Sequence, residues 1–401
     1  MSATELTRRR FLASSISLGL FAVLPRRAPA DASSAAKHPA YRAAIIGHTG
    51  RGNYGHGLDL IFNDRPNIVV VAIADPDAVG RAKAAARSQA QRQYADYREM
   101  LERERPQLVS VAPRWTDQHH AMALAALRSG AHIYIEKPIA PTLAEADQML
   151  SVAAANGRKI AVAHQMRLAP NIQFLKQRLA AGELGELLEL RAHGKQDRRA
   201  GGEDLLVLGT HLFDLMRLFA GDPLWCSARV LNHGQDLTRA DARPASENIG
   251  PVAGDNIFAQ FAFPHGVNAT FTSRADNRDS AGPWGMELVG TKSSVRILAD
   301  IFPTLRERKA GGWSASGQTV EWRPMPGDPA EGLSPAEKSP EAANRRVVDD
   351  WLTAIVANRE PICSGHDGMK AVEMAHAVFA AGLTRERVSF PLANRSHPLA
   401  A

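Results

Sequence analysis

Three observations predict two domains in succession. Near-continuous apolar strands alternate with helices from Tyr41 onward, a glycine-rich turn follows the first strand directly, and hairpin chemistry takes over beyond residue 187. The first domain, spanning 41–164, is an α/β domain of the Rossmann dinucleotide-binding type. The second, spanning 165–390, is an α+β domain with an open, mainly antiparallel sheet for substrate binding and oligomerisation. A chain of 401 residues gives room for both.

The first strand is Ala43-Ala44-Ile45-Ile46, and Gly47-His48-Thr49-Gly50-Arg51-Gly52 follows it. A β-branched run from Asn67 to Ala74 ends at Asp75. Leu108 to Ala112 ends at Pro113, His132 to Ile135 ends at Glu136-Lys137-Pro138, and Lys159 to Ala163 ends at His164-Gln165. Ala/Leu-rich helices, such as His119–Ser129 and Thr142–Asn156, separate these runs, which is the pattern of a parallel sheet covered on both faces. Leu187–His193 then reads as a strand and Glu203–Phe219 as one helix. Strands Asn256–Phe263 and Val267–Ser273 flank the hairpin residues Pro264-His265-Gly266, and Gly285–Val289 and Ser294–Leu298 flank a second turn. A polar, Pro/Gly-rich stretch runs from Lys309 to Pro340. Helices near Ala342–Ala357 and Asp367–Ala381 close the chain and are placed to pack back on the first domain.

Composition is that of a soluble protein, 45% hydrophobic and 22% charged. The net charge of +6 is concentrated in Arg8, Arg9, Arg10, Arg26 and Arg27, and no basic stripe with interleaved aromatics indicates nucleic-acid binding. Residues 1–30 read as a twin-arginine export signal. Thr7-Arg8-Arg9-Arg10-Phe11-Leu12 opens it, an apolar run to Leu24 is too short to span a membrane, and Ala28-Pro29-Ala30 supplies the cleavage site. The expected partner is the twin-arginine machinery and the expected location is the periplasm or beyond. An oxidising compartment permits a disulfide between Cys226 and Cys363, but two cysteines do not make a framework, and the favoured reading of each is a small buried side chain. No Cys/His spacing suggests a metal site.

Glu136-Lys137-Pro138, read together with the glycine turn, resembles the glucose–fructose oxidoreductase / inositol dehydrogenase-like (Gfo/Idh/MocA) family. Arg167-Leu168-Ala169-Pro170 running to Gly182-Glu183-Leu184-Gly185, then Gly209-Thr210-His211-Leu212-Phe213-Asp214, then Asp349-Asp350-Trp351 through Arg385-Glu386-Arg387 extend the resemblance over nearly the whole mature chain. The resemblance implies that Lys137 lies beside nicotinamide and substrate, and that His211 contacts the reacting hydroxyl. It places Pro113, His119, Glu136 and Gln165 in the cofactor site and Arg167 in the substrate site. A homo-oligomer is also implied.

The residues themselves support that chemistry. Gly47, Gly50 and Gly52 suit a phosphate-binding turn before a helix, with Thr49 where a second glycine is usual and Arg51 beside it. Asp75 suits the hydroxyls of an adenosine ribose and favours NAD, while Arg81 leaves NADP open. Lys137 can exchange protons next to an oxidised nicotinamide. His211 can accept a hydroxyl proton, and Asp214, three residues on, shares its helix face and is assigned to the catalytic set. Dehydrogenases of the family usually carry an aspartate one turn before the histidine, and here that position is Val207. Glu203 and Asp204, at the helix start, are the acids left to bind sugar hydroxyls or to work as acid and base.

The expected function is an exported oxidoreductase acting with nicotinamide on a sugar or polyol, its cofactor tightly held. The alternative is a glycosidase that oxidises its sugar transiently, eliminates the aglycone and returns the hydride, which Val207 and the pair Glu203/Asp204 favour. A non-catalytic cofactor- or sugar-binding protein is opposed by the presence of both Lys137 and His211. Gly290-Thr291-Lys292-Ser293 lacks the upstream glycine of a P-loop, and Gly365-His366-Asp367-Gly368 reads as a helix cap.

Overall fold

A computed structural model describes residues 41–275, 284–309 and 321–400. The export signal and part of the polar stretch after Lys309 lie outside these residues. Six parallel strands form the first sheet: β1 (Tyr41–Ile46), β2 (Ile68–Ala74), β3 (Arg92–Tyr94), β4 (Leu108–Val111), β5 (His132–Ile135) and β6 (Ile160–Val162). Their order is β3-β2-β1-β4-β5-β6, so the chain reverses direction across the sheet between β1 and β4. The crevice outside the carboxyl ends of strands at such a switch point is where this architecture binds ligands. Every residue of β4, β5 and β6 is buried, Ser110 and His132 along with their apolar neighbours, and the Ser110 hydroxyl donates to the Leu58 carbonyl at 2.8 Å.

Helices α1 (Ala78–Ser88), α2 (Tyr97–Glu104), α3 (His119–Arg128) and α4 (Leu143–Ala155) connect the strands. Side chains of Asp77, Asp96 and Thr142 accept from backbone N–H groups of the first turns of α1, α2 and α4, satisfying donors that a helix leaves free. The segment after the glycine turn departs from expectation. Residues 49–64 form a string of turns, with Gly55 and Gly57 at φ +57° and +80° interrupting a regular helix. A phosphate there meets turn amides without a helix dipole behind them.

The second sheet is mixed and ten-stranded among the described residues. Strand β7 (Leu187–His193) pairs parallel with Asn268–Arg274 and antiparallel with Gly285–Gly290, and the remaining pairings are antiparallel. Alternation along Asn256–Ala262 buries Ile257, Ala259 and Phe261 and leaves Phe258 and Gln260 facing out. Helices α5 (Pro170–Ala180), α6 (Gly202–Val207), α7 (Gly209–Ala220), α8 (Pro340–Val356) and α9 (Gly365–Thr384) complete the fold. The helix expected over Glu203–Phe219 is therefore two, broken at Leu208 with φ −112° and ψ −30°. Ser364 caps α9 reciprocally with Asp367, so Gly365-His366-Asp367-Gly368 opens the helix. Helix α8 returns to the first sheet: Trp351 is fully buried, 6.2 Å from the Tyr134 ring, and its indole N–H donates to the Lys159 carbonyl at 3.4 Å. Cys226 and Cys363 are separate buried thiols.

Candidate active site

A cavity of about 420 Å³ opens at the carboxyl end of the first sheet, where α6, α7 and α8 meet it. Lys137 reaches it from the end of β5 and His211 from the first turn of α7, and Gln165, Lys195, Arg199, Glu247 and Trp284 also line it. The break at Leu208 shapes the centre. His211 N–H bonds to the Leu208 carbonyl, three residues back, at 3.3 Å, which leaves the Val207 carbonyl free of the helix ladder. Lys137 Nζ donates to that carbonyl at 3.0 Å. The backbone at 207 thus anchors the lysine, where the family's usual aspartate would offer a side chain.

Burial pushes the Lys137 ammonium below its ordinary range, while the carboxylates of Glu136 and Glu247 pull it back up. Burial also holds His211 well below the ordinary imidazole value, helped by the charges of Lys137, His164 and His56. The imidazole is therefore neutral at neutral pH and able to accept a proton. The His211 ring packs edge-on to His164 and Trp284 at 5.5 and 6.2 Å. Glu136 is fully buried. Its Oε1 accepts from both the ring and the backbone N–H of His56, and its Oε2 from Lys137 N–H at 2.8 Å. Burial pushes the Glu136 carboxyl up, yet His56 and Lys137 outweigh burial and hold it at about 2.

Several expected roles are corrected. Asp214 does not touch His211. Arg167 grips both its oxygens, with Nε at 3.0 and 2.9 Å and a guanidinium N–H at 2.6 Å, and the pair is buried. Arg167 and Asp214 are a buried ion pair, which takes both Asp214 oxygens away from proton transfer. Asp204 is fully buried and accepts from Lys195 N–H, Gln196 N–H and Ser273 Oγ, so it pins a loop to the second sheet. Glu203 accepts from the Ser246 N–H and hydroxyl and is not among the residues that line the cavity. The acidic pair that favoured glycoside cleavage is thus turned inward. His119 is fully buried between the carbonyls of Pro113 at 2.7 Å and Pro138 at 3.0 Å, where it braces the strand-end loops behind the crevice. Gln165 does line the cavity, and its amide donates to Asn344 Oδ1.

The phosphate end of the crevice fits a dinucleotide. Gly50, at φ +85°, has open space where a Cβ would stand, so a ligand can approach the backbone. Arg51 lies over the Trp115 ring, is paired with Asp117, and keeps a buried Nε with no hydrogen-bond partner among the described residues. Gly52, at φ +86°, packs the turn against the exit of β4; a Cβ there would meet the amide nitrogens of Arg114 and Trp115 at 2.5 Å. Gly52→Ala is expected to weaken NAD binding at least tenfold by titration calorimetry, because it combines left-handed strain of about 1–2 kcal/mol with a backbone clash. Gly50→Ala, strained without a clash, is expected to lose less; equal affinities of both variants and wild type would contradict this turn as the cradle.

Asp75 is corrected as well. Its carboxylate is fully buried and accepts from Thr49 N–H at 2.9 Å, Thr49 Oγ1 at 2.7 Å, Tyr54 Oη at 2.7 Å and Asp77 N–H at 2.9 Å. Threonine in the usual glycine position thus covers Oδ2, and the buried acid organises the turn. The residues that sequence reasoning missed are His56, Asn344, Arg199, Lys195, Glu247 and Trp284. Asn344 on α8 accepts from Tyr134 and Gln165 and donates to the His56 carbonyl, tying four segments around the site.

The family model described as "Oxidoreductase family, NAD-binding Rossmann fold" matches residues 41–164, and the model "GFO/IDH/MocA C-terminal domain" matches 172–296. Among curated proteins, D-apiose dehydrogenase of Paraburkholderia graminis is 22% identical over 79% of this chain and 82% of its own length. The scyllo-inositol 2-dehydrogenase (NAD(+)) of Bacillus subtilis is 25% identical over 70% and 79%. Among solved structures, a levoglucosan dehydrogenase in complex with NADH and levoglucosan superposes with a TM-score of 0.72 at 21% identity, covering 88% of this chain and 99% of that one.

Proposed function

The chain belongs to the Gfo/Idh/MocA family of NAD-binding oxidoreductases, and from that premise we propose that it oxidises a secondary hydroxyl of a sugar or polyol. The observation that carries this reading is one cavity holding both a neutral imidazole, His211, and a lysine anchored on a backbone carbonyl, Lys137. NAD, when bound, supplies the carbon that takes up the hydride. His211 accepts the hydroxyl proton, and the Lys137 ammonium donates a hydrogen bond to the oxygen as negative charge develops on it. The glycine turn with Arg51 holds the phosphates. Neighbouring names support the substrate class: the relatives act on D-apiose and scyllo-inositol, and the structural neighbour holds levoglucosan. The test is to supply purified protein with NAD and a panel of sugars and polyols and follow reduced nicotinamide; the reading fails if none is oxidised while NAD binds.

The pH profile follows from the neutral imidazole. A base whose pKa is depressed stays competent as pH falls, so the acid limb of kcat/KM set by His211 is expected below the ordinary imidazole value of about 6.5. A limb that appears at or above that value and disappears in His211→Ala would contradict the assignment.

Export completes the reading. Arg8-Arg9 with the following apolar run addresses a folded, cofactor-loaded enzyme to the twin-arginine machinery. Replacing Arg8 and Arg9 with lysine is expected to leave precursor in the cytoplasm, and normal periplasmic accumulation of that variant would refute it. Outside the inner membrane the NAD is held tightly, and it returns to the oxidised form when a second, carbonyl-bearing substrate takes the hydride from it. Exposed Phe258 and Leu298 on the open face of the second sheet support a homo-oligomer.

A further inference from the structure

Lys195 stands two residues past the end of β7, on a turn that the second sheet holds firmly. The N–H groups of Lys195 and Gln196 donate to the two oxygens of Asp204 at 3.2 and 3.1 Å. Asp204 is fully buried, and Ser273 Oγ on strand Asn268–Arg274 donates to it at 2.6 Å. The Gly194 N–H bonds to the Thr272 carbonyl at 2.8 Å, and a Cβ on Gly194 would collide with Asp204 Oδ2, so only glycine lets the turn pass this close. The turn presents the half-buried Lys195 to the cavity, with its ammonium 5.5 Å from the centroid of the Trp284 ring. The same indole packs edge-on to His211 at 6.2 Å, and its buried N–H has no acceptor among the described residues.

Four cations line this cavity among the described residues, and three of them are already engaged. Arg199 is held by Asp197 at 2.6 Å and by Glu247 at 3.0 Å. Lys137 donates to the Val207 carbonyl at 3.0 Å, beside His211. The Arg114 N–H bonds to the Gly52 carbonyl at 3.2 Å, which places that residue against the phosphate cradle. Lys195 is the fourth, and its ammonium has no carboxylate or carbonyl partner among the described residues; the Trp284 ring meets its charge only in part. The acids of the lining do not supply one. Glu247 is taken by Arg199, and Asp300 and Glu341 stand exposed at the rim.

We propose that Lys195, over the Trp284 ring, receives an anionic group of the substrate, so that the sugar or polyol oxidised here carries an acid, a carboxylate or a phosphate ester. The proposal rests on the oxidoreductase reading for the reaction and names the substrate class of that same site. The indole joins the two ends of the site. Measured through its centroid, the His211 ring and the Lys195 ammonium lie no more than about 12 Å apart, and a hydrogen bond of about 3 Å at each end leaves room for one sugar ring between the oxidised hydroxyl and the acid. A neutral sugar leaves the ammonium unmatched, and a site with an unmatched polar group discriminates against the ligand that lacks the partner. Asp204 also gains a purpose, because it fixes the turn from which Lys195 reaches the cavity.

The test is titration calorimetry on the full chain saturated with NAD. The carboxylate probes are D-glucuronate, D-galacturonate and D-gluconate, the phosphate probe is glucose phosphorylated on its primary hydroxyl, and glucose, galactose and sorbitol are the neutral counterparts. At least one acid is expected to bind about tenfold or more tightly than its neutral counterpart, with an advantage that shrinks as salt is raised. Lys195→Gln is expected to remove that advantage, Lys195→Arg to keep most of it, and Lys176→Gln, exposed on α5, to leave it in place. Melting temperatures check that each variant is folded, and Lys195→Met, which keeps the stem against the indole, takes over if Lys195→Gln is not. A preference for the carboxylates or for the phosphate upholds the proposal and tells which acid the site takes. No acid preferred over its neutral counterpart, or a preference that survives the loss of the Lys195 charge, overturns it. Neutral sugars oxidised as well as the acids would also overturn it and leave the oxidoreductase reading standing. Lys195-dependent binding of an acid, with no reduction of NAD by any probe, upholds the anion site and sinks that reading instead.

Discussion

Lys137→Ala and His211→Ala are each expected to lower kcat by about 100- to 10,000-fold, the usual worth of a positioned acid or base. Neither substitution is expected to change NAD affinity more than slightly, because the phosphate cradle lies on a different segment, Gly50 to Gly52. The two losses have different origins. His211→Ala removes the group that accepts the proton, and water filling the space is a poorer and unoriented base. Lys137→Ala removes the donor held at 3.0 Å from the Val207 carbonyl and leaves developing charge on the substrate oxygen unopposed. The double variant is expected to fall well short of the product of the two losses, since both act on one proton and one oxygen. Turnover that survives both substitutions, measured as reduced nicotinamide, would place the chemistry on other residues.

Arg167→Ala is expected to cost about 3–5 kcal/mol of stability, because it strips a buried carboxylate of its partner. Asp214 is fully enclosed, and its carboxyl is held far below the ordinary aspartate range by Arg167 against the opposing effect of burial. The sign of the pH dependence follows. A carboxyl depressed by folding contributes its stabilisation above the unfolded value of about 3.9, and loses it as pH falls toward the folded value. The difference in melting temperature between wild type and Asp214→Asn is therefore expected to be several degrees at neutral pH and to shrink below about pH 4. Arg167 also lies 3.5 Å from Asp367 at the start of α9, and Arg217 of α7 reaches the same carboxylate at 2.8 Å. The network thus joins the end of β6 to α7 and α9, and its loss is felt as unfolding. A variant with an unchanged melting temperature and no turnover would restore Asp214 to the catalytic set.

The difference between what was legible in the sequence and what was not follows from the range of the interactions. Strand β5 and Lys137 were legible, because a buried parallel strand is largely apolar and its end is marked by a charged residue and a proline. The hairpin at Pro264-His265-Gly266 was legible for the same local reason; His265 adopts φ +59° in it. His211 and Asp214 do share a helix face, as their spacing requires, but that spacing says nothing about which partner the acid takes. Arg167, 47 residues away, took it through tertiary packing. Asp75 ended its strand as expected, yet Thr49 and Tyr54 crowd its Oδ2 and the Asp77 N–H donates to its Oδ1. The break at Leu208 stands beside Gly209, but one glycine inside an apolar helical run does not by itself mark a break, and the break frees the carbonyl that anchors Lys137. Glu247 lies in a turn without periodicity, so only the folded chain could bring it to the cavity.

Tracing the hydride is the most direct test of net transfer from a sugar or polyol carbon to NAD in the cavity of Lys137 and His211. Sugars, polyols and glycosides are labelled with deuterium on their carbinol carbons and incubated with the protein, and the dinucleotide and the sugar products are then analysed by mass. The expected result is one deuterium on the nicotinamide ring, accumulating with wild type and absent from Lys137→Ala and His211→Ala. Deuterium returned to a cleaved sugar, with the dinucleotide left oxidised and unlabelled, would contradict the account and establish redox-neutral glycoside cleavage in its place.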